Sequence, residues 1–217
     1  LHDDRIIRVS SSRRITNLGW TVFANKGFLS EYRKGKQVAS FDLRKYSALQ
    51  GSHNHQNVCA AYATVLERGP NSVKKALASF NGLSHRSQLV AEICGVVFIN
   101  DSKATNVDSA MKALKTFSQV RWICGGQQKE EDISRLNNVV SNVKKAYIIG
   151  SDTTKFSSQI SCELEICNTM ERAVKTAFED AIDGETILLA PAAASFDQYS
   201  SFEERGEDFV NEIKNLI

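Results

Sequence analysis

Strand and helix alternate regularly along the last two thirds of this sequence, and that alternation constrains the fold more than any other feature. Short apolar runs, rich in β-branched residues and typical of buried strands, occur at residues 88–94, 96–99, 120–124, 146–149, 164–167 and 186–190. Segments with apolar residues at helical spacing occur at residues 106–117, 131–143, 153–160, 169–182 and 202–216. Repeated strand–helix units build a parallel sheet with helices on both faces, and we predict that architecture here.

The first eighty residues follow a different pattern. Short extended segments are predicted at residues 5–10, 20–24, 27–32 and 37–42. Asn25-Lys26-Gly27 and Lys34-Gly35-Lys36 supply turn residues between them, so hairpins are expected. Two helices follow, opening at Gly51 and at Pro70. The pattern changes after Asn81, and we therefore divide the chain into residues 1–81 and 82–217.

Composition excludes several classes of protein. With 217 residues, 42% of them hydrophobic, the chain is long enough for one or two domains with a sizeable core. A formal charge of +2 is too slight to indicate nucleic-acid binding. The sequence has neither an apolar run of membrane-spanning length nor a signal peptide. Five cysteines without a C-x-x-C pair indicate free thiols and a reducing cytosol. Because the chain starts at Leu1 without a methionine, we expect a fragment that begins inside a domain.

Polar loops follow three of the predicted strands. Residues 100–106 follow the strand at 96–99, a Gly-Gly turn follows the strand ending at 124, and residues 191–199 follow the strand ending at 190. The carboxyl ends of parallel strands meet at one edge of a sheet, which is where ligands bind in open α/β folds. We therefore expect these three loops to converge on a single ligand.

The side chains of these loops favour an anionic, carboxylate-bearing ligand. Lys103 and Lys129 each supply a positive point charge, and Ser195 offers a hydroxyl or its backbone N–H. Thr105 or Asn106 can cap the helix that begins beside them, and the free N–H groups of its first turn favour an anion close by.

Several familiar kinds of site are missing from these residues. The sequence contains no G-x-x-x-x-G-K-[ST] loop, no G-x-G-x-x-G fingerprint and no G-x-S-x-G elbow. His53 and His55, two residues apart, lie on different faces of a helix and predict no metal site. Spacing and composition alone indicate a small α/β domain that binds a small anion, attached to part of another domain.

Four motifs resemble the Mur ligases. They are G-S-H-N-H-Q-N (51–57), F-N-G-L-S-H-R (80–86), N-D-S-K-A-T-N (100–106) and P-A-A-A-S-F-D-Q-Y-S-S-F-E-E-R-G (191–206). The resemblance runs along essentially the whole chain but covers only the later half of the family's architecture. It implies an α/β fold in which a Rossmann-like, mostly parallel sheet with helices on both faces (residues 82–217) binds the incoming amino acid. A truncated piece of the central ATPase domain (residues 1–81) precedes it.

The resemblance also implies an activity. The family member with these motifs adds D-glutamate to UDP-N-acetylmuramoyl-L-alanine in peptidoglycan biosynthesis. It uses ATP and Mg²⁺ to form an acyl phosphate that the amine then attacks. The implied partners are these small molecules, for a cytoplasmic monomer that binds neither nucleic acid nor membranes. Since the P-loop and most metal ligands of the family lie upstream of the motifs found here, we expect the isolated fragment to be inactive.

The resemblance carries roles to individual residues, with no metal ligand among them. Lys103 is the catalytic lysine at the junction of the nucleotide and amino-acid sites. The nucleotide-binding positions are Asn54, Asn57, Arg86 and Asp101. The D-glutamate pocket comprises Thr105, Lys129, Ser195, Phe196 and Phe202, the last two mainly through backbone groups. Gln127-Gln128 departs from the family pattern, which usually has Asp-Gly or a similar pair before the lysine.

Two other functions stay open at this point. One is a non-catalytic nucleotide- or amino-acid-binding module that uses the same pocket, and a true start codon near Leu1 would favour it. The other is a related ligase that adds a different amino acid. A G-T-N-G-K-S/T motif upstream in the reading frame would favour an enzyme.

Overall fold

The structure, a computed structural model, describes residues 6–16, 19–49, 51–65 and 69–216. The chain divides into two compact units, Leu1–Asn81 and Gly82–Ile217. The first residue of the strand predicted at 5–10 lies outside the described residues.

The first unit contains a four-stranded sheet that includes two hairpins. Its strands are β1 (Ile7–Ser10), β2 (Trp20–Asn25), β3 (Phe28–Arg33) and β4 (Lys36–Asp42), in the order β1-β2-β3-β4. β1 is parallel to β2, and the other two pairs are antiparallel. In the loop between β2 and β3, Lys26 and Gly27 have φ angles of 49° and 82°. Positive φ at both positions gives the turn whose twist matches the flanking strands, and the predicted hairpins are confirmed.

Two helices complete the first unit, α1 (Ser52–Thr64) and α2 (Pro70–Ser79). A buried apolar cluster links α1 to the sheet and includes Leu29, Phe41 and Tyr62. Gly51 and Gly69 precede the two helices with φ angles of 90° and 75°, a left-handed conformation that glycine adopts without strain.

Glu31 is a buried carboxylate that ties this sheet to α1. It is 3% exposed and accepts hydrogen bonds from Trp20 Nε1 at 2.9 Å and from Arg33 Nε at 2.7 Å. The hydroxyl of Tyr62 on α1 donates a third bond at 2.7 Å. A buried carboxylate is stable only when such donors surround it, so the strand and the helix depend on one another here.

Replacing Glu31 by alanine is expected to destabilise the first unit by about 3 kcal/mol, because it leaves the buried hydroxyl of Tyr62 and the half-buried indole N–H of Trp20 without their acceptor. Tyr62→Phe removes one bond and is expected to cost about 1 kcal/mol. Amide hydrogen exchange of β2 and β3 measures both effects. Unchanged protection in Glu31→Ala would contradict the role given to this carboxylate.

The second unit contains a six-stranded sheet. Its strands are β5 (Gln88–Ile93), β6 (Val96–Asn100), β7 (Val120–Gly125), β8 (Val143–Ile149), β9 (Leu164–Asn168) and β10 (Thr186–Leu189). The order is β5-β6-β10-β7-β8-β9. β5 is antiparallel to β6 and every other pair is parallel. The predicted mostly parallel sheet is confirmed.

Helices cover both faces of this sheet, as predicted. α3 (Val107–Thr116) and α4 (Thr154–Gln159) contribute to one buried cluster, with Leu114, Trp122 and Phe156. α5 (Met170–Asp180) and α6 (Phe202–Lys214) contribute to the other, with Phe98, Tyr147, Val174 and Phe209. A sheet buried on both faces accounts for the continuous apolar strand sequences.

The prediction of a helix at residues 131–143 is wrong. The structure has two short 3₁₀ segments there, Ser134–Asn138 and Val140–Asn142, and β8 begins at Val143. Polar side chains bond to the backbone instead of pointing to solvent. Asn137 Nδ2 donates to the carbonyl of Gln159 at 2.9 Å, and Asn142 Nδ2 donates to the carbonyl of Leu114 at 3.2 Å. Asparagine and serine compete with regular helices in this way.

All five cysteines are free thiols. Burial raises the pKa of Cys167 to about 11 and that of Cys59 to about 12, so neither thiol is activated as a nucleophile. Within the described ranges, no helix has both the length and the apolar content that a bilayer span requires.

Candidate functional site

The three polar loops lie side by side at one edge of the sheet, because β6, β10 and β7 are neighbours. Backbone hydrogen bonds join the loops directly. Ala192 N donates to the carbonyl of Ala104 at 2.8 Å, and Gln127 and Ala194 exchange two bonds of 2.9 and 3.0 Å. The three loops are therefore adjacent, as the strand pattern predicts, and main-chain hydrogen bonds join them.

Two glycines permit this close approach. Gly125 and Gly126 have φ angles of 116° and 119°, which side chains rarely adopt. A Cβ on Gly125 would collide with the carbonyl of Ile149, and one on Gly126 would collide with the carbonyl of Ala194. The Gly-Gly turn after β7 is thus required by its contacts with β8 and with the loop after β10.

The side chain of Arg205, on α6, forms hydrogen bonds to two of the three loops. It is 1% exposed. Nε donates to Ser102 Oγ at 3.0 Å, Nη2 to the carbonyl of Ser102 at 2.9 Å, and Nη1 to the carbonyl of Ala193 at 3.2 Å. Burial lowers the pKa of Arg205 to about 10, so it remains charged at neutral pH. The planar guanidinium spans two loops that a point charge could not span.

Asn100 and His85 continue this buried polar network. Asn100 Nδ2 donates to the carbonyl of Gly206 at 2.9 Å and lies 3.1 Å from His85 Nδ1. A Cβ on Gly206 would overlap the His85 ring. Glycine at this position of α6 therefore lets the helix approach the segment that carries His85.

Replacing Arg205 by lysine is expected to lower the free energy of unfolding by about 3 kcal/mol, because the ammonium cannot keep both loop contacts. The control is Arg135→Lys, since Arg135 forms an exposed ion pair with Asp108. That variant is expected to stay within about 0.5 kcal/mol of the native protein. Urea unfolding followed by circular dichroism measures both. Equal stability of the two variants would contradict the bridging role.

Lys103 lies over the ring of Phe202, with Nζ 3.8 Å from the ring centroid. Such a contact holds an ammonium group in place through the negative face of the ring. The carbonyl of Phe202 accepts a bond from Ser102 Oγ at 2.8 Å. The resemblance implied mainly a backbone role for Phe202, and in the structure its ring also orients Lys103. Thr105, two residues further on, is half-buried beside this lysine.

Asp101 carries the most perturbed carboxyl group of this edge. Burial raises its pKa to about 6, although Ser87 N, which donates to Oδ1 at 3.2 Å, and the nearby charge of Arg86 act in the opposite direction. Arg86 itself is exposed. A half-buried carboxyl next to an exposed guanidinium suits a ligand with both hydroxyl and phosphate groups.

The raised pKa of Asp101 makes stability depend on pH. The folded protein holds this proton more tightly than the unfolded chain, so the contribution of Asp101 to the free energy of unfolding falls as the pH rises from about 4 to about 6. Asp101→Asn removes the cost of burying a charged carboxylate and keeps an acceptor for Ser87 N. At pH 7 the variant is expected to be more stable than the native protein by about 3 kcal/mol, and at pH 3.5 about equally stable.

Urea unfolding at pH 3.5, 5 and 7 tests this expectation for Asp101. Glu179→Gln, at an exposed carboxylate of α5, is the control. A stability difference between native protein and Asp101→Asn that is the same at all three pH values would show that Asp101 is not the group responsible.

Lys129 is exposed in the loop after β7. The residues on either side of it in sequence form hydrogen bonds to other parts of the protein. Gln128 Nε2 donates to the carbonyl of Ala192 at 3.0 Å. Glu130 Oε1 accepts a bond from Val107 N, the first residue of α3, at 3.0 Å. The loop that presents Lys129 is thereby attached both to the loop after β10 and to the start of α3.

The start of α3 differs partly from expectation. Asn106 is the cap, and its Oδ1 accepts a bond from Ser109 N at 2.9 Å, so this alternative is confirmed. Thr105 is not the capping residue. The N–H of Val107, predicted to favour a bound anion, donates to Glu130 of the protein itself. The positive end of this helix is therefore already partly neutralised.

Ser195 and Phe196 follow β10. Ser195 is 2% exposed, and its carbonyl accepts bonds from Gln198 N at 3.1 Å and Tyr199 N at 2.8 Å. Phe196 is 63% exposed, an unusual position for a phenylalanine. The loop is also fastened to the end of β8, where Asp197 Oδ2 accepts a bond from Ser151 N at 2.9 Å.

The four candidate nucleotide residues fall in two different units. Asn54 and Asn57 lie in α1 of the first unit, where Asn57 is exposed at an apolar groove of about 540 Å³ between α1 and α2. Arg86 and Asp101 lie in the second unit. The described ranges hold no group of three or more metal-ligating side chains.

Sequence reasoning did not identify five residues that build this edge, namely His85, Asn100, Gln128, Glu130 and Arg205. One signal was available for Arg205. It lies between Phe202 and Phe209 at helical spacing, on the apolar face of α6, and a cation there must be buried with partners.

Comparison with known proteins assigns the class. Residues 85–193, half of the chain, match the family model described as Mur ligase, glutamate ligase domain. The chain therefore belongs to the Mur ligase family. The family model spans the loops after β6 and β7, with Lys103 and Lys129, and its last matched residue is Ala193 of the loop after β10.

The curated relatives are more specific. A protein of Ruegeria pomeroyi named UDP-N-acetylmuramoylalanine–D-glutamate ligase is 56% identical over 99% of this chain and 47% of its own length. Proteins with the same name from Roseobacter denitrificans and Jannaschia sp. are 55% and 50% identical, with the same coverage. The chain thus spans about half the length of the curated relatives it matches.

Solved structures show the same fold at low identity. The UDP-N-acetylmuramate-alanine ligase MurC of Thermotoga maritima aligns with a TM-score of 0.62 and 14% identity, over 94% of this chain and 47% of that one. FolC of E. coli, in complex with DHPP and ADP, aligns with a TM-score of 0.60 and 20% identity, over 92% and 46%.

Proposed function

We propose that this chain is part of an ATP-dependent ligase that adds D-glutamate to UDP-N-acetylmuramoyl-L-alanine in peptidoglycan biosynthesis, in the cytoplasm. Residues 1–81 form the last portion of its central ATP-binding domain, and residues 82–217 form the domain that binds the incoming amino acid. The names of relatives that are 50–56% identical along 99% of the chain support this assignment.

The observation that carries the proposal is the position of Lys103, Lys129 and Ser195 in loops that follow three adjacent strands of one sheet. Two cations and a buried serine at the carboxyl edge of a parallel sheet suit a ligand with carboxylate groups. D-Glutamate carries two carboxylates, and Thr105, Phe196 and Phe202 border the same loops.

In this proposal, Arg86 and Asp101 of the second unit bind the nucleotide, and Asn54 and Asn57 on α1 are the nucleotide-binding residues of the first unit. The exposed guanidinium fits a phosphate, and the half-buried carboxyl of Asp101 fits a ribose hydroxyl. Solved relatives of the same fold support nucleotide use, since a folylpolyglutamate synthase of Yersinia pestis is described with AMPPNP and a Mn ion. ATP with Mg²⁺ is the corresponding pair here.

The chain's own residues would act mainly by positioning and charge. Lys129 and Ser195 hold the amino acid so that its amine faces the acyl phosphate, which replaces a bimolecular encounter by a fixed approach. Lys103, held against the Phe202 ring, stabilises negative charge as phosphate leaves. Fixed backbone contacts between the loops keep these groups in register.

A phosphate-release assay tests the activity on the protein expressed from the natural start codon of its reading frame. We expect turnover with ATP, magnesium, UDP-N-acetylmuramoyl-L-alanine and D-glutamate, and none with L-glutamate or a diamino acid. Lys129→Ala is expected to lower kcat/KM for D-glutamate about 100-fold, because it removes a charge that holds the substrate carboxylate. Lys112→Ala, at an exposed lysine of α3, is the control.

Three results would change the assignment. Turnover with a different amino acid would make the protein a related ligase. Nucleotide binding without turnover would favour a non-catalytic binding module. Phosphate release above background by the 217 residues alone would contradict the expectation that they require a P-loop supplied by further sequence.

A further inference from the structure

Gln128 uses both ends of its side-chain amide next to Lys129. Its Nε2 donates to the carbonyl of Ala192 at 3.0 Å. Its Oε1 accepts bonds from Lys129 N at 2.7 Å and from Glu130 N at 3.0 Å. These contacts need a donor and an acceptor on one side chain of this length, and glutamine supplies both.

The partner of Gln128 is itself in an unusual conformation. Ala192 has a φ angle of 57°, in the left-handed region that residues other than glycine avoid. Its N–H donates to the carbonyl of Ala104 at 2.8 Å, while its carbonyl accepts the bond from Gln128. A chain of hydrogen bonds therefore runs from the loop of Lys103, through a strained turn, to the backbone of Lys129.

Glu130 fixes the other side of the same lysine. Its carboxylate accepts the bond from Val107 N at 3.0 Å, and its carbonyl accepts one from Lys155 Nζ at 3.0 Å. Lys129 is thus an exposed side chain on a backbone whose two neighbours both bond to other elements. A lysine side chain is flexible, so its reach depends on where its backbone is held.

We propose that Gln128 and Glu130 are positioning residues that fix the backbone of Lys129 so that its ammonium meets the carboxylate of the incoming amino acid. This inference rests on the proposed function.

The measurement that distinguishes a positioning role from a purely structural one is the KM for the amino acid, compared with the KM values for the other two substrates. A loop that only stabilises the fold would, when weakened, lower the melting temperature and change all kinetic constants together. If the loop positions Lys129, weakening it changes the KM for the amino acid selectively, because the proposed nucleotide contacts lie elsewhere.

Steady-state kinetics on the protein expressed from its natural start codon test the proposal. Gln128→Met keeps the size of the side chain and removes its three bonds. We expect KM for D-glutamate to rise about tenfold, with KM for ATP and for UDP-N-acetylmuramoyl-L-alanine within twofold. The same substitution at Gln119, the exposed glutamine before the opposite end of β7, is the control and is expected to change nothing.

A second pair of variants keeps the test independent of how Gln128→Met folds. Glu130→Ala removes the acceptor for Val107 N and is expected to raise KM for D-glutamate. Glu130→Gln retains an acceptor oxygen and is expected to restore a nearly native value.

The outcomes separate the two proposals. Native KM for D-glutamate in both Gln128→Met and Glu130→Ala would overturn the positioning role and leave the ligase intact. A uniform loss in all constants with a lower melting temperature would also overturn it. If the native protein turns over with another amino acid, the comparison is made with that substrate. If it turns over with none, the ligase proposal and this inference both fail.

Discussion

The buried guanidinium of Arg205 is the interaction on which this edge of the sheet depends. It contacts Ser102 after β6 and Ala193 after β10, and lies beside Gly126 after β7. A cation with almost no exposure is tolerated only when its donors are matched, and here the matching acceptors belong to the loops themselves. The geometry of the loops and the solvation of Arg205 therefore cannot change independently.

This constraint separates a rigid layer from an exposed one. Asn100, Ser102 and Arg205 are buried and bonded, whereas Lys129 and Phe196 are exposed at the surface of the same loops. A site built this way holds its backbone fixed while its outermost side chains meet a ligand, which reduces the ordering that binding requires. The left-handed Ala192 fits the same view, since strained residues persist where surrounding contacts determine them.

Much of the fold follows from sequence, and the exceptions have physical reasons. All six strands of the second unit were predicted from apolar runs, since a strand buried on both faces carries little besides apolar residues. The prediction of a helix at 131–143 was wrong because periodicity does not reveal that the side chains of Asn137 and Asn142 donate hydrogen bonds to carbonyls far away in sequence. β10 lies between β6 and β7 in the sheet, which makes the three loops adjacent, and strand order is not encoded in any local pattern. Gln128 and Glu130 were missed because the partners that attach them to other elements, Ala192 and Val107, lie more than twenty residues away.

The electrostatics of this edge also follow from Arg205. Its hydrogen-bond partners in the described part of the chain are a hydroxyl and carbonyls, and Asp197 acts on it only through its charge at longer range. The first amide of α3 is satisfied by Glu130, so that helix adds less positive potential than its position suggests. Positive charge at the edge thus comes from side chains: Arg205 is buried and fixed, Lys103 is held against the Phe202 ring, and Arg86 and Lys129 are exposed. A fixed cation keeps its field whether or not a ligand is bound, and an exposed cation such as Lys129 can contact the anion directly.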